Sequence, residues 1–429
     1  MGDGVIQQPE APRLRVERVG MWTLVLLLSV QFLYFCVGAA VHPTHSFISY
    51  YTASRLAAEG ADVSRFYEDT WFMEQVNRFQ PGIIEIWSPN PPTTTLMLLP
   101  FAGLSYTNAR VLWTLCSVLI LIAASGWMVR VLRFNETWLP GLILLILLYH
   151  PLYTNIAVGQ AYALLLGLLV VAWHGYRNKQ DAVLGAALGV MLILKIAGIF
   201  LWLLLLVQRR WRALGWATLT TFAVTGITFS WLGPEAWQTH AQVLLDLRDH
   251  PKLSVAAYQS LHSFFHHLFV YDASWNAAPL LDASVVGRWL SRLGFFAVVG
   301  VCLYAAIRKP AKADLVFAAF VTANVILNPF TLNYHYTLLL LPLALLIRWA
   351  CAKTLPWTWL GLGASIVLMA NNLPHQSPRL AAGVVAFLAY PRLYGALLLW
   401  ALTVWACLRE KPASTAVSPQ AMPEPSSHG

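Results

Sequence analysis

Hydrophobic and polar positions along the chain alternate on the scale of whole helices. Apolar runs such as "WTLVLLLSVQFLYFCVGAAV" (22–41), "LLLGLLVVAW" (164–173) and "LLLLPLALLI" (338–347) are separated by short connectors rich in Arg and Lys. Serial runs of this kind are typical of helices that satisfy their own backbone hydrogen bonds in lipid. We therefore predict an all-α polytopic membrane protein, a bundle of about 11–13 transmembrane or re-entrant helices.

The basic connectors orient the chain. They group at the ends of apolar runs, as Arg209, Arg210 and Arg212, as Arg308, Lys309 and Lys312, and as Arg348 and Lys353. The positive-inside rule makes these connectors cytoplasmic. Both termini are then inside, with a cytoplasmic tail at 1–20, a membrane domain at 21–409 and a disordered cytoplasmic tail at 410–429. Two larger loop regions, 42–92 and 233–292, lie on the outer face.

Some apolar pieces are too short for simple spans, because about 20 residues are needed to cross a bilayer. The three apolar pieces at 93–105, 107–129 and 138–151 together must begin and end outside, so the number of crossings is even and one piece is re-entrant. We predict that this piece is the first, "TTTLMLLPFAGLS", because it is too short to span the bilayer. The pieces at 183–194 and 196–208 together predict a hairpin that turns at Lys195 near the outer surface.

The composition excludes several classes of protein and site. The chain is 58% hydrophobic and 11% charged, which excludes an ordinary soluble domain. Its net charge of +9 is spread over the span ends, so we expect no nucleic-acid partner. The five cysteines sit within apolar runs without paired spacing, which supports neither a disulfide framework nor a thiolate metal site.

Carboxylates concentrate in the two outer loop regions. Eleven of the 19 acidic residues are there: Glu59, Asp62, Glu68, Asp69, Glu74, Glu85, Glu235, Asp246, Asp249, Asp272 and Asp282. We therefore expect any chemistry on the outer face. In "FYEDTWF" (66–72), Glu68 and Asp69 lie among four aromatic residues, where a carboxylate can act as acid or base; a solvated surface turn is the alternative.

Polar residues at the outer ends of apolar runs are further candidates. Lys195 is flanked by apolar residues, so its ammonium either snorkels to the surface or faces an anion such as a lipid phosphate. Gln160 begins an apolar run at the same face, with an interhelical hydrogen bond as the alternative role. His335 begins another, where a lone histidine is more often an interface residue than a catalyst.

The first outer region opens with "FISYYTASRLAAEG" (47–60), which has a helical period. Phe47, Tyr50 and Tyr51 share one face of this helix. The pattern predicts a helix in the membrane interface, with its aromatic face toward lipid or a bound lipid chain.

A pair of histidines in the second outer region is the only candidate for a metal site in the sequence. His262 and His266 are four residues apart, so both could bind zinc from one helix face. Asp272 is the one nearby third ligand, and its spacing is poor. We expect neither a metal nor another cofactor.

Taken in order, several segments resemble one enzyme family. They are "FISYYTASRLAAEG", "FYED", "SPNPPTTTLMLLPFAGLSYTNARVLW", "YHPLYTNIAVGQAYALLLGLLVVAW", "LGAALGVMLILKIAGIFLWLLLLVQRRWR", "YQSLHSFF" and "NPFTLNYHYTLLLLPLALL". Over roughly residues 20–350 the chain is similar to the polyprenyl-phosphate-mannose-dependent alpha-mannosyltransferases of actinobacteria and their bacterial relatives, in the C-type glycosyltransferase superfamily.

The resemblance implies a C-type helix bundle in the bacterial cytoplasmic membrane. Such an enzyme moves a sugar, with mannose the leading candidate, from polyprenyl phosphate to a lipid or glycan acceptor on the outer face. An acidic residue would deprotonate the acceptor, whose hydroxyl attacks the anomeric carbon with inversion. Lys195 matches the family's phosphate-binding lysine. Other matching positions imply substrate contacts at Gln160, Gln259, His335, Tyr50 and Tyr51.

One departure concerns the base, since the family has Asp where this chain has Ser46 in "HSFISYY". A serine is no general base at neutral pH. Three alternatives follow: His45 takes the role, Glu68 or Asp69 reaches in, or transferase activity is lost. A non-catalytic binder or transporter of lipid-linked glycans is the competing functional hypothesis.

Overall fold

The computed structural model describes residues 12–409, apart from positions 249 and 354. Within that part of the chain there is no β-strand, and one isolated antiparallel bridge joins Asp272 and Asn276. The predicted tail at 410–429, and residues 1–11 of the predicted N-terminal tail, lie outside the described residues. The all-α class predicted from the apolar runs is confirmed.

Helices follow one another along the described residues. In chain order they are α1 (Pro12–Val41), α2 (Phe47–Ala58), α3 (Asp69–Phe79), α4 (Tyr106–Leu132), α5 (Leu139–Leu147), α6 (His150–Val158), α7 (Tyr162–Arg177), α8 (Asp181–Lys195), α9 (Ile199–Val207), α10 (Trp211–Leu232), α11 (Pro234–Leu247), α12 (Leu261–Phe269), α13 (Ser284–Arg308), α14 (Ala313–Leu327), α15 (Leu340–Cys351), α16 (Pro356–Ala370) and α17 (Pro391–Arg409). Short 3₁₀ helices include Val63–Tyr67, Pro92–Met97, Leu99–Phe101 and Asn333–Leu339.

Five described segments are long and apolar enough to cross a bilayer. They are Glu17–Val41, Tyr106–Leu132, Ser284–Arg308, Asn333–Cys351 and Pro391–Arg409. The number rises to six if α5 and α6, which are bent by 48° at their junction, form one broken span. The chain is thus a multi-pass membrane protein. The larger total of 11–13 crossing or re-entrant helices stays a prediction.

The two short, broken regions have the local structure that their lengths suggested. Between Pro92 and Phe101 the chain forms only 3₁₀ turns, and α4 does not begin until Tyr106. Likewise, α8 ends at Lys195 and α9 begins at Ile199. The chain therefore breaks at Lys195, as the sequence predicted.

Close packing at small residues fixes the position of α8. Gly185 and Gly189 lie four residues apart on α8 and face Ala213 and Ala217 of α10. A Cβ atom at Gly185 would lie 2.8 Å from the Ala217 nitrogen, and one at Gly189 would lie 2.8 Å from the Ala217 carbonyl oxygen. Small residues at this spacing let membrane helices approach at backbone distance. The seam holds α8, and with it Lys195, against α10.

The helices carry different polar residues at the two ends of the bundle. Gln160 precedes α7, which ends at Arg177, and α8 runs back alongside α7 to Lys195. His335 lies in the 3₁₀ turn before α15, whose last turn holds Arg348. We call these the Lys195 end and the Arg348 end. The positive-inside pattern predicts that the Arg348 end is cytoplasmic.

Helix α2, predicted to lie at the membrane interface, is buried in protein instead. Phe47, Tyr50 and Tyr51 are each 4% exposed or less. The helix is covered by α3, α4 and the 3₁₀ turns that follow Pro92. The interface prediction was wrong because aromatic side chains suit a protein interior as well as a lipid interface. Helix α11, from the second outer region, also packs on the turn at Val63–Tyr67, so the two outer regions are in contact.

Candidate functional site

Lys195, the last residue of α8, lies at the centre of the polar residues at its end of the bundle. The helix stops there because Ile196 takes a left-handed φ of 50°. Lys195 Nζ donates a hydrogen bond to Asn90 Oδ1 at 2.6 Å and lies 4.6 Å from the centre of the Tyr50 ring. Because an ammonium has three N–H donors, this arrangement leaves donors for an anionic ligand.

Two threonines bind the end of α8 from the outer loop. Thr93 Oγ1 donates to the Ile193 carbonyl and Thr94 Oγ1 donates to the Leu194 carbonyl, each at 2.7 Å. The last carbonyls of a helix have no intrahelical partners, so these hydroxyls satisfy groups that would otherwise be unpaired. The "PPTTT" motif therefore docks the loop that carries Asn90 against Lys195.

Gln160 occupies a tight turn between α6 and α7. The turn needs glycine at 159, because φ there is 67° and a Cβ atom would lie 2.6 Å from Phe47 Cβ. It presents the Gln160 side chain to Tyr50, whose hydroxyl donates to Gln160 Oε1. Three residues singled out from the sequence, Tyr50, Gln160 and Lys195, are thus brought together.

His335 contributes to an aromatic wall beside them. Its ring centre lies 4.3 Å from that of Tyr162 and 4.9 Å from that of Tyr334. The Leu332 N–H donates to His335 Nδ1 at 3.0 Å, which orients the ring. His335 also interacts electrostatically with Lys195. The predicted His335 therefore belongs to the same group of residues.

Glu85 supplies a carboxylate to this group, and sequence reasoning did not single it out. Its Oε2 lies 3.9 Å from His45 Nδ1, and its Oε1 accepts a hydrogen bond from the Ile86 N–H at 3.1 Å. Burial raises the pKa of the Glu85 carboxyl; the Ile86 hydrogen bond and the charges of His45 and Lys195 oppose that rise. The carboxyl also interacts electrostatically with Tyr50 and Tyr334.

The loop around Glu85 is held by contacts remote in sequence. Ser49 Oγ donates to the Ile86 carbonyl at 3.1 Å, and Trp87 is completely buried. Tyr67 hydroxyl donates to the Asn90 carbonyl at 2.8 Å. A usable signal was present in "GIIEIW", where one carboxylate interrupts an apolar run just before the proline-rich motif. In the sequence it is otherwise one of eleven acidic residues in the outer regions.

The predicted bases have different surroundings. His45 is exposed, contacts the Glu85 carboxylate and lies 3.2 Å from the Ile84 carbonyl through Nδ1. Glu68 forms an ion pair with Arg65 at 3.5 Å and is 59% exposed. Asp69 begins α3. Within the described residues, no hydrogen bond or ion pair joins Lys195 to Glu68, Asp69 or Glu85.

Two predicted substrate contacts, Gln259 and Tyr51, form hydrogen bonds within the protein. Gln259 is completely buried, and its amide donates to the carbonyls of Ala256 and Ala389 at 2.7 and 2.8 Å. Tyr51 packs edge-on against Tyr106, and its hydroxyl donates to the Leu104 carbonyl at 2.8 Å. These contacts hold both side chains in place, and their roles as substrate contacts stay predictions.

The histidine pair of the second outer region lies on α12. The ring centres of His262 and His266 are 3.8 Å apart, and His262 Nδ1 is 3.2 Å from Ser291 Oγ. Among the residues that the structure describes, no group of three or more His, Cys, Asp or Glu side chains is arranged to hold a metal ion.

Comparison with known proteins adds one family. The model of "Glycosyltransferase family 87" matches residues 89–332, more than half of the chain. The match includes Asn90, Gln160 and Lys195, and it begins just after Glu85. No curated protein and no solved structure matches the chain.

Proposed function

The chain belongs to glycosyltransferase family 87. From that membership we propose that it transfers a sugar from a polyprenyl phosphate carrier, and that mannose is the leading candidate for this sugar. The acceptor would be a lipid or glycan hydroxyl on the outer face of a bacterial cytoplasmic membrane, with both protein termini inside. The chain is a membrane glycosyltransferase by family; the donor, acceptor and orientation are the proposed part.

One observation carries the proposal: the loop that carries the Glu85 carboxylate is tied to the Lys195 ammonium at one end of the bundle. Lys195 donates a hydrogen bond to Asn90, five residues after Glu85 in that loop, and lies 4.6 Å from the centre of the Tyr50 ring. Transfer from a lipid phosphate needs a positive charge for the leaving phosphate and a base for the attacking hydroxyl. Lys195 would supply the positive charge, and Glu85 would supply the base.

In the proposed reaction the acceptor hydroxyl gives its proton to the Glu85 carboxylate as its oxygen attacks the anomeric carbon. The bond between that carbon and the phosphate oxygen breaks, and its electron pair leaves with polyprenyl phosphate. Lys195 stabilises the charge that develops on the phosphate, while Asn90 holds Nζ in position. Attack opposite the leaving group inverts the anomeric centre.

The surroundings of Ser46, His45 and Glu68 favour Glu85 as the base. Ser46 directly precedes α2 and has no ionisable side chain at neutral pH. Its neighbour His45 contacts the Glu85 carboxylate, so Glu85 borders the space in which the resemblance expects an acid. Glu68 is paired with Arg65 and faces solvent. His45 would then orient the Glu85 carboxylate.

The test is sugar transfer by purified full-length protein in lipid, given synthetic polyprenyl phosphates that carry mannose, glucose or arabinose, and a membrane lipid extract as acceptor. We expect product from at least one donor. Lys195→Met and Glu85→Gln should each lose it by about 10²-fold or more. The matched controls are Lys179→Met, at the Arg348 end, and Glu68→Gln, an exposed carboxylate of the same outer region.

The outcomes separate the two functional classes. Product that depends on Lys195 and Glu85 supports the transferase. Absence of product with every carrier contradicts it, and binding of polyprenyl phosphate without turnover would identify a non-catalytic lipid-linked-glycan binder instead.

A further inference from the structure

A large basic cavity opens at the Arg348 end, away from Lys195. It has a volume of about 1600 Å³ and is bounded by the C-terminal turns of α4, α7 and α15 and by the start of α14. Five cationic side chains line it: Arg130, Arg133, Arg177, Lys312 and Arg348. Asp314 is the one carboxylate among its described lining residues. The wall therefore carries a strong positive excess.

The carboxylate is already neutralised within the wall. Asp314 Oδ2 lies 3.3 Å from Arg177 Nη1, and Asp314 Oδ1 accepts a hydrogen bond from Trp173 Nε1 at 2.9 Å. Among the described lining residues, no further carboxylate faces Arg130, Arg133 and Arg348.

Helix dipoles explain only part of this excess. Cations are favoured at helix C-termini, and Arg348 Nε does donate to the Leu132 carbonyl at the end of α4, at 2.8 Å. Lys312, however, precedes the N-terminus of α14, where the macrodipole disfavours a cation. Arg133 is the C-cap residue of α4, with a left-handed φ of 50°, and the macrodipole also favours its charge. The macrodipole therefore accounts for Arg133 and Arg348 but not for Lys312, and an anion held in the cavity would interact favourably with all three side chains.

An apolar strip leads from the membrane-facing side of α4 into this cavity. Leu115, Leu119 and Ile122 are 52%, 56% and 61% exposed and lie on one face of the helix. Ile122 and Gly126, one turn further along the same face, line the cavity. The strip and the basic wall are continuous, so a ligand with an acyl chain and an anionic head complements both.

We propose that this cavity binds the phosphate-bearing head group of an anionic membrane lipid, whose acyl chain lies along the exposed face of α4. This site is separate from the Lys195 group and does not depend on the proposed transfer reaction. A phosphate diester meets the cations, while the hydrocarbon covers apolar surface that would otherwise face bulk lipid.

The test compares lipid retention by native mass spectrometry of the full chain released from nanodiscs. The nanodiscs contain phosphatidylcholine with or without phosphatidylglycerol. We expect selective retention of phosphatidylglycerol, and a loss of about tenfold in Arg130→Gln combined with Arg133→Gln. The matched control is Arg209→Gln combined with Arg212→Gln, because both arginines are exposed, do not line the cavity, and Arg209 shares the left-handed backbone of Arg133.

A steric variant tests the cavity without changing its charge. A Cβ atom at Gly126 would meet nothing within 4 Å, so Gly126→Phe is the variant chosen to fill the opening, and its unfolding temperature checks that the fold is kept. It should also reduce phosphatidylglycerol retention, with an unchanged unfolding temperature in detergent.

Three results would overturn the proposal. The first is equal loss in both double-arginine variants, which would indicate general surface charge. The second is equal retention of phosphatidylcholine and phosphatidylglycerol. The third is stabilisation by inorganic phosphate without lipid retention, which would identify a free anion as the ligand.

Discussion

Lys195 Nζ and Asn90 Oδ1 are joined by a hydrogen bond of 2.6 Å, which ties the end of α8 to the outer loop that carries Glu85. The cation comes from a helix held by a glycine seam, and the carboxylate comes from a loop. Their relative position therefore depends on the contacts of that loop with the end of α8.

Asn90→Ala should reduce transfer by about tenfold, because Lys195 loses the one described hydrogen bond that orients it, and a hydrogen bond to a charged group is worth about 1.5 kcal/mol or more. The measurement is kcat and KM for the lipid-linked donor. Asn178→Ala, at the Arg348 end, is the control. Equal kinetics in the two variants would contradict a positioning role for Asn90.

The pH dependence of transfer should follow Glu85. As a base it acts only when ionised, so activity falls as pH drops through its pKa, which burial raises above the ordinary value. The acid limb of kcat/KM should therefore lie above pH of about 4.3, the usual pKa of a glutamic acid. Glu85→Gln should leave a residual rate without that limb. An unchanged limb in the variant would assign the titration to another group.

The same carboxyl should cost stability at neutral pH. Because the pKa of Glu85 is raised, the folded state favours the protonated carboxyl. The stability that Glu85 contributes is therefore present at low pH and is lost as pH rises through the raised pKa. Glu85→Gln, which cannot ionise, should raise the unfolding temperature at pH 7 while it lowers activity. The gain should vanish in scans at a pH below both pKa values. Glu68→Gln should show no comparable gain.

The outer regions should also lose stability in mild acid because of His240 in α11. This ring lies 5.7 Å from that of Tyr67, and burial lowers the pKa of His240 to about 4. The unfolded chain binds a proton near pH 6.5, so stability present above that pH is lost as pH falls toward 4. Thermal unfolding measured across this window should depend less on pH in His240→Phe. Equal pH dependence in the variant would contradict the assignment.

The seam between α8 and α10 should be sensitive to any added side chain. Gly185→Leu should destabilise the protein by about 1–3 kcal/mol, because the new atoms would meet the α10 backbone. Gly215→Ala in α10, where a Cβ atom meets nothing within 4 Å, is the control. Unfolding in detergent with increasing denaturant gives the comparison. Similar midpoints for the two variants would show that the helices separate easily.

Much of the fold followed from the apolar pattern, since every long run formed a helix and the chain broke at Lys195 as predicted. The burial of α2 did not follow. Hydropathy measures the preference of a side chain for an apolar environment, and for Tyr50 or Phe47 the interior of the protein and the lipid are alike in that respect.

The site was predictable where it lies at helix ends and unpredictable where it lies in a loop. Gln160, Lys195 and His335 each sit at an end of a described helix or 3₁₀ turn, so their shared face followed from topology. Glu85 reaches them only because Ser49 and Tyr67 hold its loop. Contacts between residues so far apart in the sequence produce no periodic pattern of hydrophobic and polar residues.

The contact between His45 and Glu85 also affects how relatives of this chain should be sorted. A motif search that asks for an acidic residue at position 46 would discard such sequences as inactive. Yet a carboxylate from the following loop borders the same space. If Glu85 serves as the proposed base, a motif search should accept an acid at either position 46 or position 85. Relatives that gain an acid at one of these positions where they lose it at the other would support that role.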